Sequence, residues 1–276
     1  MRTPEATEGL VDLYCQKLKL PGVRQIYREA ARQALAQGDD PVCFLEACLR
    51  HELDQRAQRN LQLRLKQARF PWVKTLADFD FTAIPKLPKA RVLALADGRF
   101  IRQREVVLMV GQTGTGKTHC AIALGLAAIE AGFRVRFIRV VELVQELLAA
   151  DKEFRLPAYL KAWQKVDLVI LDELGYLGLG PGGPLLFHFC SDRYERGALI
   201  VKTNLEFSRW GEVFGDATLT AALLDRLTHR SHVLLFEGES YRFRESRRRH
   251  EALQAAAARP PTGDGGQTVI DPGSPN

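Results

Sequence analysis

Val106-Val107-Leu108-Met109-Val110-Gly111-Gln112-Thr113-Gly114-Thr115-Gly116-Lys117-Thr118-His119 is the stretch on which the fold turns. Its first part is an unbroken apolar run, the pattern of a strand covered on both faces. Gly111 to Thr118 then match the phosphate-loop pattern GxxxxGK[ST] in full. The glycines let the backbone curl so that successive N–H groups face one centre. That nest and the positive end of the helix predicted from Lys117 to about Ala131 form an anion site. Lys117 is placed to reach the β- and γ-phosphates of a nucleotide, and Thr118 to put its hydroxyl on Mg²⁺. The nucleotide-binding set is therefore Gly111, Gln112, Thr113, Gly114, Thr115, Gly116, Lys117, Thr118 and the adjoining His119, with ATP and Mg²⁺ as cofactors.

Downstream, short apolar runs at 135–138, 168–171, 199–202 and 233–236 read as further strands, with helices at 141–150 and 184–196. Strands alternating with helices predict an α/β fold, a parallel sheet flanked by helices. The run at 168–171 ends in Asp172-Glu173. After a buried strand beside a phosphate loop, the first carboxylate is the candidate holder of Mg²⁺, usually through water, and the second the candidate orienter of the attacking water. Thr118 and Asp172 are thus the expected metal set and Glu173 the expected catalytic residue. Asn204 follows another strand, where a polar side chain would hold the attacking water; turn chemistry alone also explains an Asn there. No NKxD-type guanine-reading segment is present, which favours ATP over GTP. Phe79 and Phe81, just ahead of the core, are candidate adenine walls or plain interdomain packing.

Upstream the chain reads as helical. Thr3-Pro4 and Asp40-Pro41 are cap-and-proline signals. The stretch 44–69 has no glycine or proline and ends at Phe70-Pro71. It carries Arg50, Arg56, Arg59, Arg64 and Lys66, weak candidates for contacts to DNA phosphates. A solvated, salt-bridged helix or a partner-protein surface are the other readings. Residues 72–87 look like a linker, followed by a helix over about 90–98.

The formal net charge of +6 leans only weakly toward a polyanionic partner. Hydrophobic residues make up 46% of the 276, enough for a sizeable core. The five cysteines are odd in number and lack CxxC spacing, so reduced thiols are expected rather than a disulfide framework or zinc site. No signal-peptide pattern and no membrane-length apolar run are visible, and a cytoplasmic protein is the expectation. The alanine-, proline- and glycine-rich end reads as disordered.

Together these residues resemble the IstB-like transposition helper ATPases, relatives of the DnaC-type helicase loaders within the AAA+ class. The resemblance covers roughly residues 76–244. Its most specific stretches are Leu171-Asp172-Glu173-Leu174-Gly175-Tyr176-Leu177, Ser191-Asp192-Arg193-Tyr194-Glu195-Arg196, Trp210-Gly211-Glu212-Val213-Phe214-Gly215-Asp216 and Leu224-Asp225-Arg226-Leu227, with Ser240-Tyr241-Arg242 also shared with the loaders. It implies an AAA+ ATPase domain with a reduced lid, which with the readings above gives a small all-helical N-terminal domain (1–72, DNA- or partner-binding), the ATPase domain (73–250) and a disordered tail (251–276). It implies ATP hydrolysis, assembly into a homo-oligomer on duplex DNA and direction of a partner transposase. Arg226 resembles the arginine finger that reaches a neighbouring subunit's ATP, and Arg242 the second sensor. Two departures stand out. The loop 178–184 is glycine- and proline-rich where relatives carry acidic residues, and Lys202 replaces the usual Thr or Ser, either altering phosphate affinity or pointing away. A helicase loader is the alternative function. A small-molecule kinase would need an acceptor pocket and a lid, and would leave Arg226 and Asn204 without roles.

Overall fold

The computed structural model describes residues 3–175, 178–241, 243, 247 and 249–250. The tail expected to be disordered, Arg242, and the Tyr176-Leu177 pair of the resemblance lie outside them.

Three helices lead: α1 (Pro4–Lys17), α2 (Pro21–Gln37) and α3 (Pro41–Ala68). The cap-and-proline signals work as read. The Thr3 hydroxyl accepts from the Ala6 N–H at 3.4 Å, and the Asp40 carboxylate accepts from Val42 N–H at 2.7 Å. α2 has no capping side chain of its own. Its start is instead met by the buried Glu52 of α3, whose Oε2 accepts from Gly22 N–H at 2.5 Å and Val23 N–H at 3.1 Å. Arg56 pairs with the same carboxylate at 2.7 Å. Burial alone would raise the Glu52 carboxyl, but Arg56 and the two amides outweigh it and hold the group below its ordinary range.

The segment after α3 runs irregularly, apart from one short turn at Phe81–Ala83, to α4 (Lys89–Leu95) and α5 (Arg99–Arg102). The sequence predicts one helix over about 90–98; the structure ends it at Leu95 and adds a second, α5, after Gly98. Gly98 adopts φ 72° and the Asp97 carboxylate accepts from Arg99 N–H at 2.8 Å, closing one helix and opening the next. Beyond lie β1 (Val106–Gly111), α6 (Lys117–Glu130), β2 (Val135–Arg139), α7 (Val140–Lys152), α8 (Leu156–Trp163), β3 (Leu168–Leu174), α9 (Gly183–Arg193), β4 (Ala198–Thr203), α10 (Trp210–Phe214), α11 (Ala217–His229) and β5 (Ser231–Phe236).

The strands form one parallel sheet in the order β2-β3-β4-β1-β5. Alternate residues enter two cores. Val107, Met109, Leu168, Ile170 and Ile200 pack with α6, α4 and the end of α3, while Leu108, Val169, Leu171, Leu199 and Val201 pack with α7–α11. Burial on both faces explains why these strands are continuous apolar runs. Leu61, Leu65 and Phe70, at and after the end of α3, lean on the first core, and Ala68 is fully buried in it. α3 therefore belongs to both the helical region and the sheet-bearing domain. Phe70 also lies tight against α6, where a Cβ on Gly125 would come within 2.9 Å of its ring.

Helices α8, α10 and α11 are absent from the sequence reading, and α9 stops at Arg193 rather than 196. Arg193 explains the stop. It is buried, and its guanidinium donates to the carbonyls of Trp163 and Val166 at 2.8 Å each, Ala198 at 3.3 Å and Asp167 at 3.4 Å. Burial lowers its pKa to about 10. Among the described residues all cysteines are free thiols.

Candidate nucleotide site

β4 is inserted between β1 and β3, so the loops leaving β1 and β3 flank it at the carboxyl edge of the sheet. Such a switch of strand order opens a crevice outside the strand ends. A cavity of about 360 Å³ lies there, lined by residues 113–119, Asp172, Glu173 and Lys202.

The phosphate loop takes the shape its glycines permit. Gly116 caps α6 at φ 88°, and a Cβ there would stand 3.0 Å from the Phe79 ring. Any other residue would meet both a strained backbone and that ring. Lys117 is buried. Its ammonium donates to the loop carbonyls of Gly111 and Gln112 at 2.5 Å each, and to the Thr115 hydroxyl at 3.4 Å. Burial, then the charge of Lys202, lowers its pKa to about 8 against the opposing pull of Asp172.

Asp172 is buried at the end of β3, and its Oδ1 accepts from Glu173 N–H at 3.1 Å. Glu173 itself is half-buried with φ 65°, at the irregularity where the β3–β4 register shifts between Leu171 and Leu174. Lys202, opposite Met109 in the β1–β4 register, does not point away. Its Nζ stands 2.5 Å from Asp172 Oδ1 and donates to Thr118 Oγ1 at 2.7 Å. The two oxygens expected to hold Mg²⁺ thus already converge on one cation. A hydroxyl and a carboxylate are hard donors, and their convergence fits a small hard ion.

The remaining candidates fall in several places. Phe79 lines the cavity and Phe81 packs edge-on to it at 4.8 Å, one shell further out. Asn204 follows β4 but does not line the cavity. Its Oδ1 is buried without a hydrogen-bond partner among the described residues, beside Gly175. Arg226, on α11, is far from this chain's phosphate loop in the fold. It donates to Ser191 Oγ at 2.6 Å and lies over the Phe187 ring at 5.0 Å. It borders a second cavity near Val106 and Leu199, at the amino edge of the sheet.

The stretch read as a linker turns out to be a wall of the site. His119 shares a hydrogen bond with the Thr75 carbonyl at 2.9 Å and meets the Phe79 ring at 5.1 Å. Asp78 ties the Thr75 turn by accepting from its N–H at 3.0 Å and hydroxyl at 2.7 Å, contacts that hold its carboxyl below the usual range. On the other side, Tyr241 N–H donates to Gly114 C=O at 3.0 Å. The alternating Asp78-Phe79-Asp80-Phe81 was the signal available in the sequence for this wall.

The arginines of α3 are spread around the helix rather than along one face, since each residue advances about 100°. Arg50 pairs with Glu46 at 2.5 Å, Arg56 with Glu52 and with the Lys19 carbonyl at 2.6 Å, and Arg59 with Gln55. Arg64 is half-buried and Lys66 exposed. A feature missed in the sequence is a line of exposed apolar residues on the same helix, Val42, Leu45, Leu49 and Leu53. Among the described residues no helix is long and apolar enough to cross a membrane.

A parallel sheet in this order, with a phosphate loop after β1 and an acidic pair at the end of β3, defines a nucleotide-binding domain of the AAA+ class. Solved structures agree on the fold. The DnaA protein of Aquifex aeolicus superposes with a TM-score of 0.52 at 19% identity, over 67% of this chain and 56% of that one. The DnaI structure gives 0.50 at 17% identity, over 60% of this chain and 89% of that one. Residues 14–249 match the family of IstB-like ATP binding proteins, and the chain belongs to that family. It is 42% identical over 227 residues to the ATP-binding protein of insertion sequence IS21 from Pseudomonas aeruginosa, covering 82% of this chain and 84% of the relative. It is 38% identical over 239 residues to that of insertion sequence IS5376 from Geobacillus stearothermophilus, covering 86% and 95%.

Proposed function

We propose that the chain hydrolyses ATP with Mg²⁺, in a cycle stimulated by duplex DNA and self-assembly, and thereby assists and targets a partner transposase. The observation that carries this reading is the meeting of Lys117, Thr118, Asp172 and Glu173 in one cavity. The insertion-sequence origin of the relatives supports the partner.

The residues divide the work. The loop amides from Gly111 to Thr118 cradle the phosphates, and Lys117 shifts from the loop carbonyls to the β- and γ-oxygens. Thr118 and Asp172 would hold Mg²⁺, which would neutralise charge on the phosphates. Glu173 orients the attacking water and takes its proton. Asn204 would turn its amide from the Gly175 side to hold the same water. Phe79 gives the base an apolar wall, and His119 holds the Thr75 turn against the loop. Arg226 lies outside this chain's own cavity, which supports a role in a neighbour's site, where a guanidinium offsets charge on the transferring phosphoryl group. Arg242 is proposed as the sensor of the γ-phosphate on the resemblance alone. Among the described residues Arg59, whose partner Gln55 is neutral, Arg64 and Lys66 are the candidate α3 cations whose charge no carboxylate matches and which are left for DNA phosphates, while the apolar line Val42–Leu45–Leu49–Leu53 suits the protein partner.

The test is the steady-state ATPase rate of the purified protein alone, with long duplex and with single strands. Stimulation by duplex that Glu173→Gln abolishes is the expected result. Stimulation by single strands only, or none until a helicase is added, would overturn it in favour of a helicase loader.

A further inference from the structure

The described residues place a second lysine in the nucleotide cavity, and it has no part in the phosphate-loop pattern. Lys202 is buried near the carboxyl end of the central strand β4. Its ammonium bridges Asp172 Oδ1 at 2.5 Å and Thr118 Oγ1 at 2.7 Å. Those are the two oxygens assigned above to the metal. Magnesium binds oxygens at about 2.0–2.1 Å in near-ideal octahedral geometry, so an ammonium and the ion cannot share this position.

We propose that Lys202 is a built-in occupant of the metal position: its ammonium neutralises Asp172 in the metal-free state, lets nucleotide bind without a divalent ion, and competes with that ion for Thr118 and Asp172. The inference rests on the nucleotide reading of this cavity and deepens it. Three features carry it. A buried carboxylate needs a partner charge, and Lys202 supplies one from within the chain. The lysine stem is packed on a central strand, so the ammonium is held in place rather than drawn from solvent. Lys117 and Lys202 both line the cavity, so the metal-free site already presents two cations to a polyanion. For the ion to enter, the Lys202 ammonium must leave both oxygens, and the cavity it lines gives it room to move toward the phosphates. Metal entry then exchanges one cation for another, which weakens the apparent metal affinity.

The test uses the full chain and a fluorescent ADP analogue, titrated in EDTA and in saturating Mg²⁺. For the wild type, the two dissociation constants should agree within about threefold, whereas for Lys202→Met the EDTA value should be at least about tenfold weaker. Mn²⁺ binding, read by electron paramagnetic resonance without turnover, should be about tenfold tighter in Lys202→Met, and the added Asp172→Asn should remove that gain. A wild-type protein that loses about tenfold or more in EDTA overturns the role of Lys202, and needs no variant to fold. Equal Mn²⁺ affinity in wild type and in a Lys202→Met protein with an intact melting transition overturns it as well. Failure to bind the analogue in either buffer overturns the nucleotide reading instead, and this inference with it.

Discussion

Glu52 and Arg193 show how much rests on single buried charges outside the nucleotide site. Glu52 does for α2 what an N-cap does, but from a neighbouring helix, and Arg56 offsets its charge. Replacing it with Gln keeps the shape and loses charge-assisted bonds to two amides and a guanidinium, so Glu52→Gln should cost about 1–3 kcal/mol in chemical denaturation. Its pKa lies below the ordinary value in the folded chain. Its contribution is therefore complete above the unfolded glutamate pKa and fades as pH falls through the lower folded value. The gap between wild type and Glu52→Gln should close on acidification and stay constant at neutral pH. Arg193 donates to carbonyls at the end of α8, in the turn just before β3 and at the start of β4. Truncation removes all four of those bonds, although Trp163 C=O keeps the Val166 N–H and Asp167 C=O keeps the Ala198 N–H, so Arg193→Leu should destabilise by about 1–3 kcal/mol, read by thermal or urea unfolding.

At the scale of elements, the strands and the phosphate loop were legible because their signals are local. A strand buried on both faces must be apolar throughout, and a loop that wraps phosphate must be glycine-rich. What was not legible depends on contacts distant in sequence. The wall formed by Thr75, Asp78 and Phe79 looks like a linker until His119 and Gly116 are seen against it. The split after α4 hangs on Gly98 beside Asp97, a signal that was present and read as a helix end. Helix α11 begins at an ordinary cap, Asp216 accepting from Leu219 N–H at 2.9 Å, whereas α10 has no capping side chain to signal its start. The position of Lys202 was left open between the site and solvent, because strand parity alone does not say which neighbour a long side chain finds. On α3 the basic residues were visible but their pairing was not. If Arg59, Arg64 and Lys66 are the cations left for DNA, Arg64→Glu with Lys66→Glu should weaken duplex binding and lower the salt slope by about one per lost contact. Arg50→Ala should leave that slope unchanged in fluorescence anisotropy, since its charge is already matched by Glu46.

For the molecule as a whole, the two ends of the sheet carry different chemistry. The carboxyl edge holds the nucleotide cavity; the amino edge holds Arg226 among other arginines. If Arg226 acts as proposed above, a neighbouring chain completes each site. Arg226→Ala should bind nucleotide as the wild type does and lose at least about tenfold in kcat. Mixing Arg226→Ala with Glu173→Gln, each inactive alone, should restore measurable ATPase activity, because some interfaces then pair an intact Glu173 with an intact Arg226. No recovery on mixing would argue for action within one chain.

The long helix α3 has a consequence of its own. Its base is wedged against α6, where Phe70 closes on Gly125, and α6 begins at the phosphate loop. Its free half reaches away with α1 and α2 attached. At 28 residues it is about 42 Å long, so a tilt of about 5° at the base would carry the far tip about 3–4 Å. The molecule thus has the parts of a pointer: a short stiff arm seated beside the phosphates, a fulcrum of aromatic packing, and a long arm on which a change too small to notice at the nucleotide becomes a displacement that a bound partner would register.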